Sequence, residues 1–169
     1  MRVQYITPPC DTADFFNTHS PGLAVIGNID LLKLPKVAVF ASARVINSLG
    51  TEYIRSAEVV AQHPVAVASG FQSAIEKDWL DRMKSGKTGI ILAVPRSLDT
   101  MEILPEWRTL ITAGRLLLVS QFATGYNWST RESSLERNRI VGAMANKILV
   151  LHSSPQSQTA LLAYYYISK

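Results

Sequence analysis

The chain has 169 residues, 47% of them hydrophobic and 18% charged, which suits one globular domain with a single good core and no apolar run near the roughly 18 residues that span a bilayer. A lone cysteine, Cys10, excludes an intramolecular disulfide, and the start Met1-Arg2-Val3-Gln4-Tyr5 lacks the apolar stretch of a signal peptide, so the expected compartment is the cytoplasm. The net charge of +4 permits a polyanionic partner without demanding one, so the placement of the basic residues matters more than their sum.

Residues 1–36 read as a lead-in, with residues 23–28 as a short extra strand that turns at Gly27-Asn28. From residue 37 onward, apolar runs alternate with amphipathic stretches. Residues 37–41 are expected to form a buried strand. Ser48 is placed to cap a helix whose apolar face carries Leu49, Tyr53, Ile54, Ala57, Val60 and Ala61. Residues 65–68 form a second strand ending at Ser69-Gly70. Ile75, Trp79, Leu80 and Met83 mark the next helical face, closed by Gly86. Residues 88–94 give a third strand and 102–113 a helix with Pro105 near its first turn. Residues 115–120 give a fourth strand. After a polar loop, Ser133 or Ser134 starts a helix through Ala145, with Arg137-Asn138-Arg139 set near its beginning. Residues 147–152 form a fifth strand and 159–167 a closing helix.

Continuous apolar strands separated by helices are the pattern of a parallel sheet covered on both faces. The expected fold is therefore α/β and Rossmann-like: a doubly wound, mostly parallel sheet of about five to six strands, with residues 37–169 as its core. Ligands of such sheets sit outside the carboxyl ends of the strands. Ser42 and Arg44 after the first strand, Ser69, Gly70 and Gln72 after the second, and residues 153–159 after the last converge there. Arg137, Asn138 and Arg139 are expected at the same edge, where forked guanidinium donors beside a helix start suit a phosphate. The competing reading makes these arginines an ordinary surface turn paired with Glu132 and Glu136.

Several chemistries find no support. Gly86-Lys87-Thr88 imitates the end of a phosphate-binding loop, but Asp81 occupies the position of its first glycine and the strand–helix order is reversed. His19, His63 and His152 are far apart and a single cysteine offers no metal-ligand spacing, so no metal and no cofactor are expected. No serine stands in a nucleophile elbow. Tyr164-Tyr165-Tyr166 is expected to pack on the sheet or on a partner subunit.

The chain also resembles the Rossmann-like core of the DNA-processing protein A family (DprA/Smf) over about residues 21–163. The resemblance rests on Val37 through Arg44, on Ala68-Ser69-Gly70-Phe71, on Ala113-Gly114 through Ser120, on Thr159-Ala160 and above all on Arg137-Asn138-Arg139-Ile140-Val141 followed by Ile148-Leu149-Val150-Leu151. It departs from the family after Ser69-Gly70, where Gln72-Ser73-Ala74-Ile75-Glu76 stands and Leu80 replaces a histidine. The resemblance implies a non-enzymatic protein that binds single-stranded DNA, hands it to RecA recombinase and acts as a homodimer. Ser42, Arg44, Ser69, Gly70, Gln72, Arg137, Asn138 and Arg139 inherit the ligand role. The alternative is a sensor or carrier of a small nucleotide using the same pocket. Three arginines on phosphates predict a log–log salt slope near −2 per protomer, from about −0.7 per phosphate, and removal of Arg137 and Arg139 is expected to spare the fold.

Overall fold

The computed structural model describes residues 1–8, 22–42 and 51–167. The predicted alternation is present. Five strands, β3 (Lys36–Ala41), β4 (Ala66–Ser69), β5 (Gly89–Ala93), β6 (Leu116–Ser120) and β7 (Lys147–His152), run parallel. β5 and β6 are buried along their whole length, which is why they read as unbroken apolar runs rather than as alternations.

The sheet has seven strands, ordered β1-β2-β6-β5-β4-β3-β7, against an expectation of about five to six. The extra strand of the lead-in is β2 (Leu23–Gly27), antiparallel to β6. Beyond it lies β1 (Gln4–Ile6), antiparallel to β2. Three mostly exposed residues carry no alternation, and β1 could not be read from the sequence. Gly27 has φ +119 and a Cβ there would fall 2.2 Å from the Leu116 carbonyl oxygen, so only glycine fits this close approach. Asn28 then caps a short 3-10 turn, Ile29–Lys33, accepting from the Asp30 N–H while its amide donates to the Gly114 carbonyl at 2.8 Å.

The helices divide between two faces. α1 (Thr51–Ala61), α2 (Ala74–Lys84) and α3 (Pro105–Thr112) bury Ala57, Ala61, Trp79, Met83 and Leu110 against one side of the sheet. α4 (Arg131–Met144) and α5 (Gln158–Ile167) bury Ile140, Val141, Met144 and Leu162 against the other. Pro105 is the first residue of α3, where its missing N–H costs nothing. The predicted cap Ser48 and Leu49 lie outside the described residues. Arg115 serves the fold: its guanidinium donates to the carbonyls of Lys84, Met83 and Thr88, closing the end of α2.

The strand order fixes where a ligand fits. From β3 the chain steps outward through β4, β5 and β6; α4 then returns it across the sheet to β7, on the far side of β3. The direction of winding reverses between β3 and β7, and a crevice opens there at the carboxyl ends of the strands.

Candidate functional site

That crevice is a cleft of about 620 Å³ between the ends of β3 and β4, the exposed side of α4 and the loop from β7 into α5. Its floor is knitted by Ser42, which is nearly buried. The Ser42 N–H donates to the His152 carbonyl, its hydroxyl donates to Ser157 Oγ at 2.9 Å, and it accepts from the Ser154 N–H at 3.0 Å. Ser157 in turn accepts from the Ala160 N–H, so the first turn of α5 forms part of the wall, with Gln158 and Thr159 facing the cleft.

The β4 side turns sharply. Ser69 is fully buried and its Oγ accepts from the Phe71 N–H; Phe71 itself has φ 48, the left-handed region that side chains rarely adopt. Gln72 lines the cleft and donates back to the Gly70 carbonyl at 3.1 Å. Ser73 and Glu76 form a capping box that starts α2. Glu76, only 6% exposed, spends both carboxylate oxygens on backbone donors: Oε1 accepts from Ala41 N–H at 2.9 Å, Oε2 from Gln72 N–H at 2.8 Å and Ser73 N–H at 3.2 Å. One carboxylate thus ties the end of β3 to the turn after β4.

Arg137 enters from α4. It is 5% exposed, and its guanidinium makes long contacts, Nη1 to the Ala93 carbonyl at 3.3 Å and Nε to the Ser134 carbonyl at 3.4 Å. Among the described residues no carboxylate lies within ion-pair distance of it. Burial pushes its pKa down to about 10, with the charge of Glu76 opposing the shift, so the group is cationic at neutral pH. Gly70 makes room for it: a Cβ at that position would fall 1.3 Å from Arg137 Nη1. A desolvated cation lining a polar cleft has the chemistry to bind an anion.

Two expectations need correction. Arg137 and Arg139 are not at a helix start, because α4 begins at Arg131 behind Thr130, whose side chain and that of Ser133 cap each other's backbone N–H. Nor do they form a pair of forks over one site. Two residues apart on a helix, they point about 200° apart; Arg139 is exposed and outside the cleft lining, and its carbonyl accepts from Tyr166 OH at 2.7 Å. The sequence reading missed Arg131 and Glu76, both of which line the cleft. The signals were present: Arg131, Ser134 and Asn138 stand at i, i+3 and i+7, one helical face, and Ser73-x-x-Glu76 is a capping-box spacing.

Of the other expected residues, Ser42, Gln72, Arg137 and Asn138 line the cleft. Ser69 and Gly70 support it from behind, and Arg44 lies outside the described residues. His152 stands 3.4 Å from Ser154 Oγ and is not part of the lining. Gly86-Lys87-Thr88 connects α2 to β5 and cradles nothing; the Lys87 and Thr88 N–H groups both donate to the Ala61 carbonyl. Among the described residues no cluster of His, Cys, Asp and Glu could hold a metal ion, and no helix is long and apolar enough to cross a membrane.

The family model described as DNA recombination-mediator protein A matches residues 12–167. The chain belongs to that family. Among solved structures, DNA processing protein A from Helicobacter pylori is similar with a TM-score of 0.75 at 20% identity, over 99% of this chain and 78% of that one. DNA processing protein A from Streptococcus pneumoniae is similar with a TM-score of 0.74 at 21% identity; 99% of this chain covers 59% of the pneumococcal protein. At these identities the likeness to the two mediator structures is one of fold. No curated protein sequence matches the chain. This member of the mediator family combines an arginine-bearing α4, a Ser-Gly turn after β4 and a reversal of winding at one edge of the sheet.

Proposed function

We propose that this chain is a non-enzymatic mediator that binds single-stranded DNA, with the backbone entering the cleft between β3 and β7. The observation that carries the reading is Arg137, a buried guanidinium without a carboxylate partner among the described residues, lining a polar cleft at the point where the winding reverses. The Helicobacter pylori relative is described as binding single-stranded DNA, and membership of a recombination-mediator family points the same way. Arg131 and Arg137 would contact phosphates, with Ser42, Gln72 and Asn138 donating to phosphate or sugar oxygens. Phosphate contacts position a strand without reading its sequence, so weak sequence preference is expected.

A mediator passes its strand on, and a RecA-type recombinase is the expected recipient. Two copies acting together would hold one strand through two clefts; α5, with Leu161 65% exposed, offers apolar surface for such pairing. The cleft is also of a size that takes a single small ligand, which keeps a free nucleotide as the second reading. The deciding experiment is anisotropy of a labelled single-stranded oligonucleotide at two salt concentrations, competed by duplex DNA and by mononucleotides. Salt-sensitive binding displaced mainly by single strands supports the mediator. Displacement by a mononucleotide at low concentration supports the nucleotide carrier, and salt-independent binding rules out the phosphate model.

A further inference from the structure

The loop between β6 and α4 turns Tyr126 and Trp128 outward. Trp128 is 81% exposed, more than any other large hydrophobic side chain among the described residues, and Tyr126 beside it is also exposed. A single exposed apolar residue needs no explanation; this one stands between anchored neighbours. On one side Thr100 Oγ1 donates to Asn127 Oδ1 at 2.8 Å, and the Tyr126 carbonyl accepts from the Ser97 N–H at 2.7 Å. The Tyr126 ring stacks on Phe122 with centroids 4.8 Å apart, and Tyr5 OH reaches Thr124 Oγ1 at 3.1 Å. On the other side the Thr130 N–H donates to Ser133 Oγ at 2.9 Å, where α4 begins. An anchored loop therefore presents the indole face to solvent.

The position of this face matters as much as its exposure. Trp128 precedes Arg131 by three residues, so their Cα atoms lie within about 11 Å of each other, and Arg131 lines the cleft. Trp128 thus stands close along the chain to the proposed phosphate site. A cleft of about 620 Å³ accommodates roughly one nucleotide, and a strand leaving it past Arg131 has Trp128 within reach.

We propose that Trp128 is a stacking platform for a nucleobase of a single strand whose backbone is anchored in the cleft. The inference rests on the single-stranded DNA reading and adds to it a second contact of different chemistry. Stacking tolerates any sequence, because every base has a π face, and so it matches a site whose arginines position without reading.

The test compares the full chain with its W128A and W128F variants, using labelled oligothymidylate of about ten nucleotides, a length within reach of one such site. W128A is expected to weaken binding by about fivefold to 150-fold, the range that loss of one base–aromatic stack produces. W128F keeps an aromatic face and should recover most of the affinity. Indole fluorescence should be quenched by the oligonucleotide in the parent and not in W128F, since Trp79 is buried and Trp107 half-buried. Two results overturn the proposal and differ from each other. If W128A binds like the parent while an Arg137 variant does not, the cleft reading stands and the indole takes no part in holding the strand. If the parent itself binds no single strand, the mediator reading falls as well.

Discussion

Arg137 carries a charge into a place with little water, and Gly70 is what lets it stay. The guanidinium lies against the Gly70 backbone, with only two long contacts to carbonyls. Replacing both members of a buried set of charges is often neutral, but removing one of them leaves the other less well compensated, and the Glu76 carboxylate feels the Arg137 charge. R137M fills the same space and is expected to lower the thermal midpoint modestly, because Glu76 keeps its three backbone donors, while weakening DNA binding about tenfold to a hundredfold, the loss of a charged hydrogen-bonding group. Alanine at the same position would instead open a void beside Gly70 and cost stability. R139A, at an exposed site outside the cleft, should change neither property by more than about 0.5 kcal/mol; equal losses for the two variants would contradict this geometry. Adjacency in sequence suggested a pair, and helical geometry separates it. The pKa of Arg137, about 10 in the fold and well below the ordinary guanidinium range, sets the sign of a pH effect. The folded protein releases this proton before the unfolded chain does, so its contribution to stability rises as the pH climbs above about 10. Anion binding weakens over the same range. Affinity measured by anisotropy with an oligodeoxyadenylate should be flat from about pH 6 to pH 9 and decline toward pH 10, because neither its phosphodiesters nor adenine titrate over that range.

At the scale of elements, the parallel core was legible because strands buried on both faces must be apolar throughout, while their helices keep a polar side. The start of α4 was not. Thr130, Ser133 and Ser134 all qualify as caps, and the box that forms pairs Thr130 with Ser133 rather than with the usual Glu or Gln. The Ser73-x-x-Glu76 spacing marks the start of α2, but what brings Glu76 to the cleft, its bond from the Ala41 N–H at the end of β3, is tertiary and leaves no local pattern. The seam between α4 and α5 was likewise hidden. A Cβ at Gly142 would fall 2.4 Å from Tyr166 Cε2, so the Tyr166 ring packs where any larger residue would push it away, and its hydroxyl donates to the Arg139 carbonyl. G142A is expected to destabilise the protein by about 1–3 kcal/mol, the cost of overpacking, seen as a lower thermal midpoint. It should also weaken binding, because α5 supplies Gln158 and Thr159 to the cleft wall. Y166F removes only the hydroxyl bond, worth about 0.5–1.5 kcal/mol. A G142A protein as stable as the parent would show that α5 can repack without that contact.

For the whole molecule, a net charge of +4 gives little general attraction for DNA, so the proposed binding is expected to depend on charges placed at one edge of the sheet. Each phosphate neutralised on a single strand contributes about −0.7 to the slope of log affinity against log salt. Arg131 and Arg137 in one cleft therefore predict a slope of about −1.4 per protomer, rising to about −2 if Arg44 also reaches the strand. Two clefts on one strand double either value, which makes the slope a reading of assembly as well as of contacts. R131A should reduce the slope by about 0.7 per cleft engaged, since Arg131 is exposed and can follow a phosphate without disturbing the core. R139A should leave the slope where it was. W128A should lower affinity at every salt concentration and keep the slope, because a stacked base releases no counterions. Parallel lines for the tryptophan variant and a shallower line for Arg131 would separate stacking from phosphate binding on one molecule; a change of slope on losing Trp128 would show that the loop steers the backbone itself.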